Sequence, residues 1–353
     1  MMKRKLASVQ RIVDIKPVEN ADTLDVATVL GWHVVTGRNE FKPGDLVVYF
    51  EIDSIIPERP EFEFLRKNCY IDKNGFRGFR LRTVKLRGQV SQGLIAPLSI
   101  LPDNGTYVEG QDVTEILDVV KYDPPLPAEL SGLAYGTFPP FIPETDEMRI
   151  QAFPGVLLRH HQKEFRVTEK LDGTSVTFFI YDGRYGGEPR FGVCSRKLEL
   201  KPTETNTYWV VARKLGIEEA LKRAVCLHDR RYAIQGEIIG PGIQKNKYAL
   251  KEHDLRIFSV YNIDDQKYLG PGDMLDLISK IGLADKLVPY IGTMKLDGKT
   301  IDDLVIMSNG RSVLNDVPRE GIVFRPLIES TDVELGRLSF KVISPVFLSK
   351  YKE

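Results

Sequence analysis

The run Glu169-Lys170-Leu171-Asp172-Gly173-Thr174-Ser175 places a lysine amine at the end of an apolar, strand-like segment, immediately before an Asp-Gly turn. A lysine amine is an ordinary cation until it loses its proton, when it becomes a nucleophile able to attack carbon or phosphorus. The K-x-D-G-[ST] pattern is too short to decide anything alone. Five further segments follow it in order: Cys194-Ser-Arg196, Ile234-Gln-Gly-Glu237-Ile-Ile-Gly240, Arg256-Ile-Phe258-Ser-Val-Tyr261, Glu320-Gly321-Ile-Val323-Phe-Arg325 and Ser339-Phe-Lys341-Val. Each sets charged or aromatic side chains within an otherwise apolar stretch. Burying a charge is costly unless it is paired or coordinated, so charges borne on such strands point to a lined pocket.

The elements that must position these groups are legible in outline. In the second half, strands are expected at 165–170, 175–181, 191–195, 232–239, 255–262, 321–324 and 338–343, with helices near 205–226, 271–281 and 300–309. Thr300 caps the last of these, Asp302 and Asp303 occupy its first turn and Gly310 follows its end. Ser344-Pro345 opens a final helix, and Thr145-Asp146-Glu147 reads as another helix start, an oxygen cap with an acidic first turn. Hairpins outnumber strand–helix–strand units, which predicts α+β architecture with antiparallel sheets rather than a dinucleotide-binding fold. There is no Walker or G-x-G-x-x-G loop, so any nucleotide is held without a P-loop.

Residues 4–120 read instead as short strands broken by turns: 25–30 against 31–36, a Lys42-Pro-Gly-Asp45 turn, a buried strand at 46–50, an Asn74-Gly75 turn and a strand at 79–86. That spacing predicts a small OB-like barrel. Residues 122–143 carry six prolines and two glycines, a density that reads as an extended connector. The expected organisation is therefore a barrel over 1–121, a connector over 122–143 and a second domain over 144–353.

Composition limits the partners. Among 353 residues, Lys+Arg and Asp+Glu both number 49, so a generally polyanion-coating protein is excluded and nucleic-acid contact must use local patches. One such patch lies at 73–101, where Lys73, Arg77, Arg80, Arg82, Lys85 and Arg87 stand with no acidic residue, interleaved by Phe76 and Phe79. Cations for phosphates and rings for bases are what a nucleic-acid-facing barrel surface needs; a solvated basic face is the plainer reading. The three cysteines are scattered and the five histidines lack ligand spacing, against a disulfide framework or zinc site and in favour of an intracellular compartment. No run approaches a membrane span or a signal peptide.

The ordered segments resemble the nucleotidyltransferase motifs of covalent ligases and mRNA capping enzymes. The chain is most similar to RNA ligases that carry an N-terminal OB domain before the ATP-grasp-like adenylyltransferase domain. The resemblance extends to Phe138-Pro-Pro-Phe-Ile-Pro-Glu-Thr-Asp-Glu-Met-Arg-Ile-Gln151 and to Gln89-Val-Ser-Gln-Gly93. It implies that Lys170 attacks the α-phosphorus of ATP to form lysyl-AMP, within an ATP site that also includes Glu169, Asp172 and Gly173. Arg196 would contact ribose and phosphate, Phe258 would stack on adenine with Val323 opposite, and Lys341 would hold the α-phosphate. Glu237 and Glu320, hard oxygen donors, would hold Mg²⁺ or Mn²⁺, largely through water. The acidic neighbours of Lys170 would by themselves keep its amine protonated; a metal ion offsets them.

One departure stands out. Where the family often has two lysines spaced K-x-K, Ile343 occupies the second position, so either Lys341 suffices or Arg325 supplies the missing charge. The expected substrate is RNA or a nicked duplex containing it, joined by a monomeric enzyme. DNA ligases and capping guanylyltransferases typically place the OB domain after the last motif, whereas here the small barrel precedes the lysine. A non-enzymatic RNA-binding protein on an inactive scaffold is the remaining alternative. Glu237 and Glu320 as a structural ion-pair network, Phe258 as plain core and Arg196 as a surface salt bridge are the corresponding bland readings.

Overall fold

In the computed structural model, residues 5–19, 21–73, 75–103, 105–122, 132–181 and 190–351 are described. The first barrel is built from two curled sheets. One runs in the spatial order Leu94–Pro97, Leu46–Phe50, Ala7–Pro17, Leu24–Val29, Trp32–Gly37, and the other in the order Val120–Lys121, Ser54–Ile56, Phe76–Arg80, Tyr70–Lys73. The apolar alternation expected of half-buried strands is clearest in Leu24–Val29, whose residues alternate between half-buried and buried. Gly44, at φ +92°, makes the Lys-Pro-Gly-Asp turn. Asn74 lies outside the described residues, and Gly75 beside it is left-handed, φ +78°.

The expected strand at 79–86 is two strands. Phe76–Arg80 ends within the barrel wall, and Thr83–Leu86 starts a separate hairpin with Gln89–Gln92. The Gln89–Gly93 segment owes its composition to tight packing. Ser91 Oγ accepts the Val35 N–H at 2.9 Å and the Gln92 carbonyl accepts the Tyr49 hydroxyl at 3.1 Å. Gly93 sits at φ +108°, where a Cβ would stand 2.5 Å from the Phe50 carbonyl oxygen.

The second half contains a seven-stranded antiparallel sheet, in the order Ala134–Thr137, Leu198–Leu200, Arg190–Cys194, Thr174–Tyr181, Tyr232–Ile239, Asp254–Asn262, Lys267–Tyr268. Facing it is a five-stranded sheet ordered Met148–Arg149, Phe340–Ile343, Gly321–Pro326, Glu164–Lys170, Tyr290–Lys295. Helices Thr207–Lys214, Ile217–His228 and Pro271–Lys280 cover the outer face of the first sheet through Trp209, Leu221, Leu277 and Ile278. Helix Ile301–Ser308, with the predicted Thr300 cap in a full capping box with Asp303, packs on the second.

Three sequence expectations fail locally. The helix at 205–226 is two helices, because Gly216 takes a left-handed φ of +61° between them. Thr145–Glu147 starts no helix; it is irregular backbone, its side chains committed to distant partners rather than to their own amides. The proline-dense segment is not purely a spacer either. Ala134–Thr137 falls between its prolines and adds an edge strand to the large sheet, the position where neighbouring prolines are tolerated.

The two halves are docked. The Gly31 amide donates to the Gln151 carbonyl at 2.9 Å, and Ala152 packs on the barrel cluster of Trp32, Val34 and Tyr49. Replacing Gly93 with alanine is expected to cost about 1–3 kcal/mol from the left-handed backbone and close contact together, read as a lowered denaturation midpoint with unchanged m-value.

Candidate active site

The key placement is topological. Strand Glu164–Lys170 belongs to one sheet and Thr174–Tyr181 to the other, so Leu171-Asp172-Gly173 carries the chain across the gap between them. Gly173 permits this crossing, since a Cβ there would lie 2.4 Å from the Ile238 carbonyl oxygen and 2.8 Å from Glu237 Cγ. A cavity of about 350 Å³ opens at the crossing, with Lys170, Asp172, Glu237, Glu320, Phe258, Val323, Arg196 and Lys341 all in its wall. The structure thus brings together the side chains predicted from sequence to line the pocket, with the exception of Glu169.

Pairing register supplies the geometry. Lys170 lies opposite Gly321, so its amine reaches the adjacent Glu320 and donates to both carboxylate oxygens, at 2.7 and 2.8 Å. Burial alone would lower the Lys170 pKa, but Glu320, then Glu237 and Asp172, override it and hold the value above that of an ordinary lysine. Glu237, opposite Ser175, is pushed up to about 8, first by burial and then by Glu320 and Asp172, against the pull of Lys170. The site at rest is therefore a protonated amine paired with Glu320, with Glu237 beside it.

Asp172 is itself tied down. It pairs with the buried Lys247, and its amide donates to the Tyr248 hydroxyl at 2.8 Å. The Lys247 ammonium also lies 5.0 Å from the Phe347 ring and 4.7 Å from the Tyr351 ring of the last helix, Pro345–Tyr351. Glu169 points away from Lys170, as alternation along a strand requires. Its Oε2 accepts the Val313 amide at 2.9 Å, while its buried Oε1 has no partner among the described residues.

At the apolar end, Phe258, Val288 and Val323 line the wall. Arg325 sits here rather than beside Lys341: it pairs with Glu147 at 2.6 Å and lies 5.4 Å from the Phe258 ring centre. It therefore does not replace the second lysine of the K-x-K pattern, and Ile343 is buried. Lys341 has other company. Its amine lies 3.3 Å from Asp146, which also binds Arg196 at 3.0 Å and Lys121 at 3.6 Å. Burial pushes the Lys341 pKa down to about 8, with Lys170 and Arg149 adding to it against Asp146.

A second cavity of about 240 Å³ adjoins at Asp146, Arg196 and Lys341. It reaches the barrel through Asp53, Arg80, Lys121 and Tyr122, with Arg149 also in its wall. Sequence reading missed Lys121, Asp146, Glu147, Arg149 and Lys247. The signal available for the acidic pair was the motif-bearing stretch 138–151 itself, a charged run in an otherwise proline-rich setting.

The basic patch of the barrel divides. Arg77 is bound to Glu58 at 2.5 Å, Arg80 lies 3.6 Å over the Tyr122 ring, and Phe79 is core rather than a stacking surface. Arg82, Lys85 and Arg87 remain exposed on and beside the Thr83–Leu86/Gln89–Gln92 hairpin, which lies against the last helix.

A lysine at the end of a strand just before the crossing between two sheets, carboxylates around it and a barrel docked in front define a covalent nucleotidyltransferase with an N-terminal OB domain. Residues 6–98 match the model of an OB-fold domain and residues 163–343 that of RNA ligase. Structures of Naegleria gruberi RNA ligase are similar throughout. An apo mutant is 39% identical, covering 100% of this chain and 99% of that one with a TM-score of 0.87. A mutant with AMP and Mn is 38% identical, with 99% of each chain covered and a TM-score of 0.87, and the ligase with PPi is 39% identical, with 99% of each covered and a TM-score of 0.86. No protein of curated function matches. The chain belongs to the RNA ligase family.

Substituting Glu320 with glutamine removes the carboxylate that holds the proton on Lys170. An amine-selective reagent at mildly alkaline pH should then modify Lys170 roughly tenfold faster, the effect of about one pKa unit, as read by peptide mapping.

Proposed function

We propose that this protein is an ATP-dependent RNA ligase that works through Lys170, and that it seals nicks in duplexes with RNA on the 3′-hydroxyl side. The observation that carries this reading is the Lys170 amine, held at 2.7 Å from Glu320 in a cavity lined at one end by Phe258 and Val323 and at the other by Lys341 and Arg196. The domain division is 1–121 for the barrel, 122–143 for the connector and 144–353 for the adenylyltransferase.

The adenine enters between Phe258 and Val323, whose apolar surfaces suit a flat ring. Arg196 takes the ribose and phosphate side and Lys341 the α-phosphate. The β- and γ-phosphates run towards Lys121 and Arg149 in the adjoining cavity. Lys170 then attacks the α-phosphorus: an N–P bond forms, the bond to the bridging oxygen breaks, and pyrophosphate leaves in line. The amine's proton passes to solvent. Lys341 stabilises charge on the oxygens in the transition state.

In the second step a 5′-phosphate oxygen displaces the lysine, leaving AMP joined to the RNA end by a pyrophosphate linkage. In the third, a 3′-hydroxyl attacks that phosphate and AMP departs, its proton going to solvent. Arg82, Lys85 and Arg87 grip the nucleic-acid backbone beside the last helix.

Glu237 and Glu320 fit Mg²⁺ or Mn²⁺. Both face Lys170, and the Glu237 carboxyl is pushed up to about 8, first by burial and then by Glu320 and Asp172. Among the described residues no three His, Cys, Asp or Glu side chains form a cage, so the ion would retain much of its water shell. When bound, it offsets the charge of the carboxylates and phosphates and favours the neutral amine. The relatives' ligands agree: Naegleria gruberi RNA ligase mutants have been solved with ATP and Mn and with AMP and Mn. Among the described residues no helix is long and apolar enough to cross a membrane.

The test is covalent labelling. With α-labelled ATP and Mg²⁺ or Mn²⁺, a denaturation-stable labelled band is expected that vanishes in Lys170→Ala; a folded protein that takes no label under either metal would sink the reading. Because carboxylates hold the Lys170 pKa high, the labelling rate should climb from about pH 6 to about pH 9 as the neutral amine accumulates. Changing Arg82, Lys85 and Arg87 together to alanine should weaken binding of nicked RNA duplex and make its log–log salt dependence shallower by about 2–3, one released counterion for each lost contact.

A further inference from the structure

Asp146 has been given no role in the reaction above, yet it sits where the cations of the site converge. It lines both cavities. Its Oδ1 faces Lys341 Nζ at 3.3 Å, and its Oδ2 faces Arg196 at 3.0 Å and Lys121 at 3.6 Å. These cations come from three places: a strand of the small sheet, the loop after the Arg190–Cys194 strand, and the last strand of the barrel. Their attraction pulls the Asp146 carboxyl well below the usual carboxylate range, although burial alone would raise it, so it is an anion at every working pH.

The carboxylate is also held in place. On one side Thr145 Oγ1 and Ser175 Oγ share a hydrogen bond of 2.6 Å; on the other Glu147 pairs with Arg325 at 2.6 Å. Thr145–Glu147 is therefore a short irregular segment pinned at both flanks, with Asp146 projecting between the cations. Three converging cations with no anion among them would repel one another and splay.

We infer that Asp146 is a resident stand-in for substrate phosphate: a positioning residue that keeps Lys341, Arg196 and Lys121 converged while the polyphosphate site is empty, and competes with polyphosphate for them. This rests on the adenylyltransferase reading. A fixed anion beside the path weakens binding of every other anion there, so pyrophosphate leaves readily after lysyl-AMP forms. An uncharged residue of the same shape would keep the cavity and remove the competition.

The experiment titrates inorganic pyrophosphate, with and without Mn²⁺, into the full chain by calorimetry and follows labelling by α-labelled ATP in parallel. Asp146→Asn is expected to bind pyrophosphate about tenfold more tightly, the scale of one removed charge in a partly screened site, and to be inhibited by it at correspondingly lower concentration. Asp146→Glu, which keeps the charge, should bind pyrophosphate as the wild type does. Weaker binding by Asp146→Asn would overturn the inference and assign the carboxylate to a metal instead. Equal shifts in both variants would also overturn it, since they would report loop geometry rather than charge. Failure of the wild type to label would sink the ligase reading, whereas normal labelling with unchanged pyrophosphate affinity in Asp146→Asn would sink only this inference.

Discussion

A half-buried amine clasped by both oxygens of Glu320 is the interaction on which the site depends. It sets two opposing demands. The ion pair must be good enough to hold the amine in place without substrate, since an uncompensated charge in this cleft would be prohibitive. In the proposed reaction it must also be loosened before the amine attacks. The fold meets both by placing the charges on strands of two facing sheets, where register fixes their positions while the gap between the sheets admits a ligand. The neighbouring Glu237, pushed up to about 8 first by burial and then by Glu320 and Asp172, is the other side of that balance: a second acidic group beside one lysine, which makes the site receptive to a second cation.

The surroundings follow from this balance. Asp172 would add further negative charge next to Lys170, but Lys247 pairs with it, and two aromatic rings cover the ammonium that does so. At the far end, Glu147 neutralises Arg325 and leaves it lying over the Phe258 ring. Charges are thus paired one by one along the cleft, except where a substrate group is needed to complete the set.

Much of this was legible in the sequence. Strands such as Tyr232–Ile239 and Leu46–Phe50 were readable to the residue because they are apolar, short and bounded by turn chemistry. That Lys170, Glu237, Phe258, Glu320 and Lys341 would line one pocket was readable because each sets a charge or ring within an otherwise apolar stretch, where burial must be compensated. The residues that escaped sit in irregular backbone or at strand ends. Asp146 mimicked a helix cap, since Thr-Asp-Glu has the composition of a first turn; only partners 50 and 195 residues away show otherwise. Lys247 was hidden in a turn of left-handed residues, Gln244, Lys245 and Asn246, which no periodicity announces. The break at Gly216 turns on a single glycine inside the 205–226 helical stretch, where its left-handed φ separates two helices. Phe79 shows the converse limit: a ring among basic residues looks like a stacking platform until the barrel closes over it.

The Lys170–Glu320 contact joins residues 150 positions apart, and Asp146–Lys341 joins residues 195 apart. Contacts so distant along the chain form late, after loop closure has been completed by other means. The nucleophile turn, the two sheets and the final helix must all be in register before the amine is held in reacting geometry. A partly folded chain therefore carries the lysine but not its setting. Self-adenylylation is for this reason a stringent marker of finished folding, sensitive to a slipped strand anywhere between residues 146 and 343, and it could serve to count native molecules in a refolding mixture where bulk spectroscopy reports only average secondary structure.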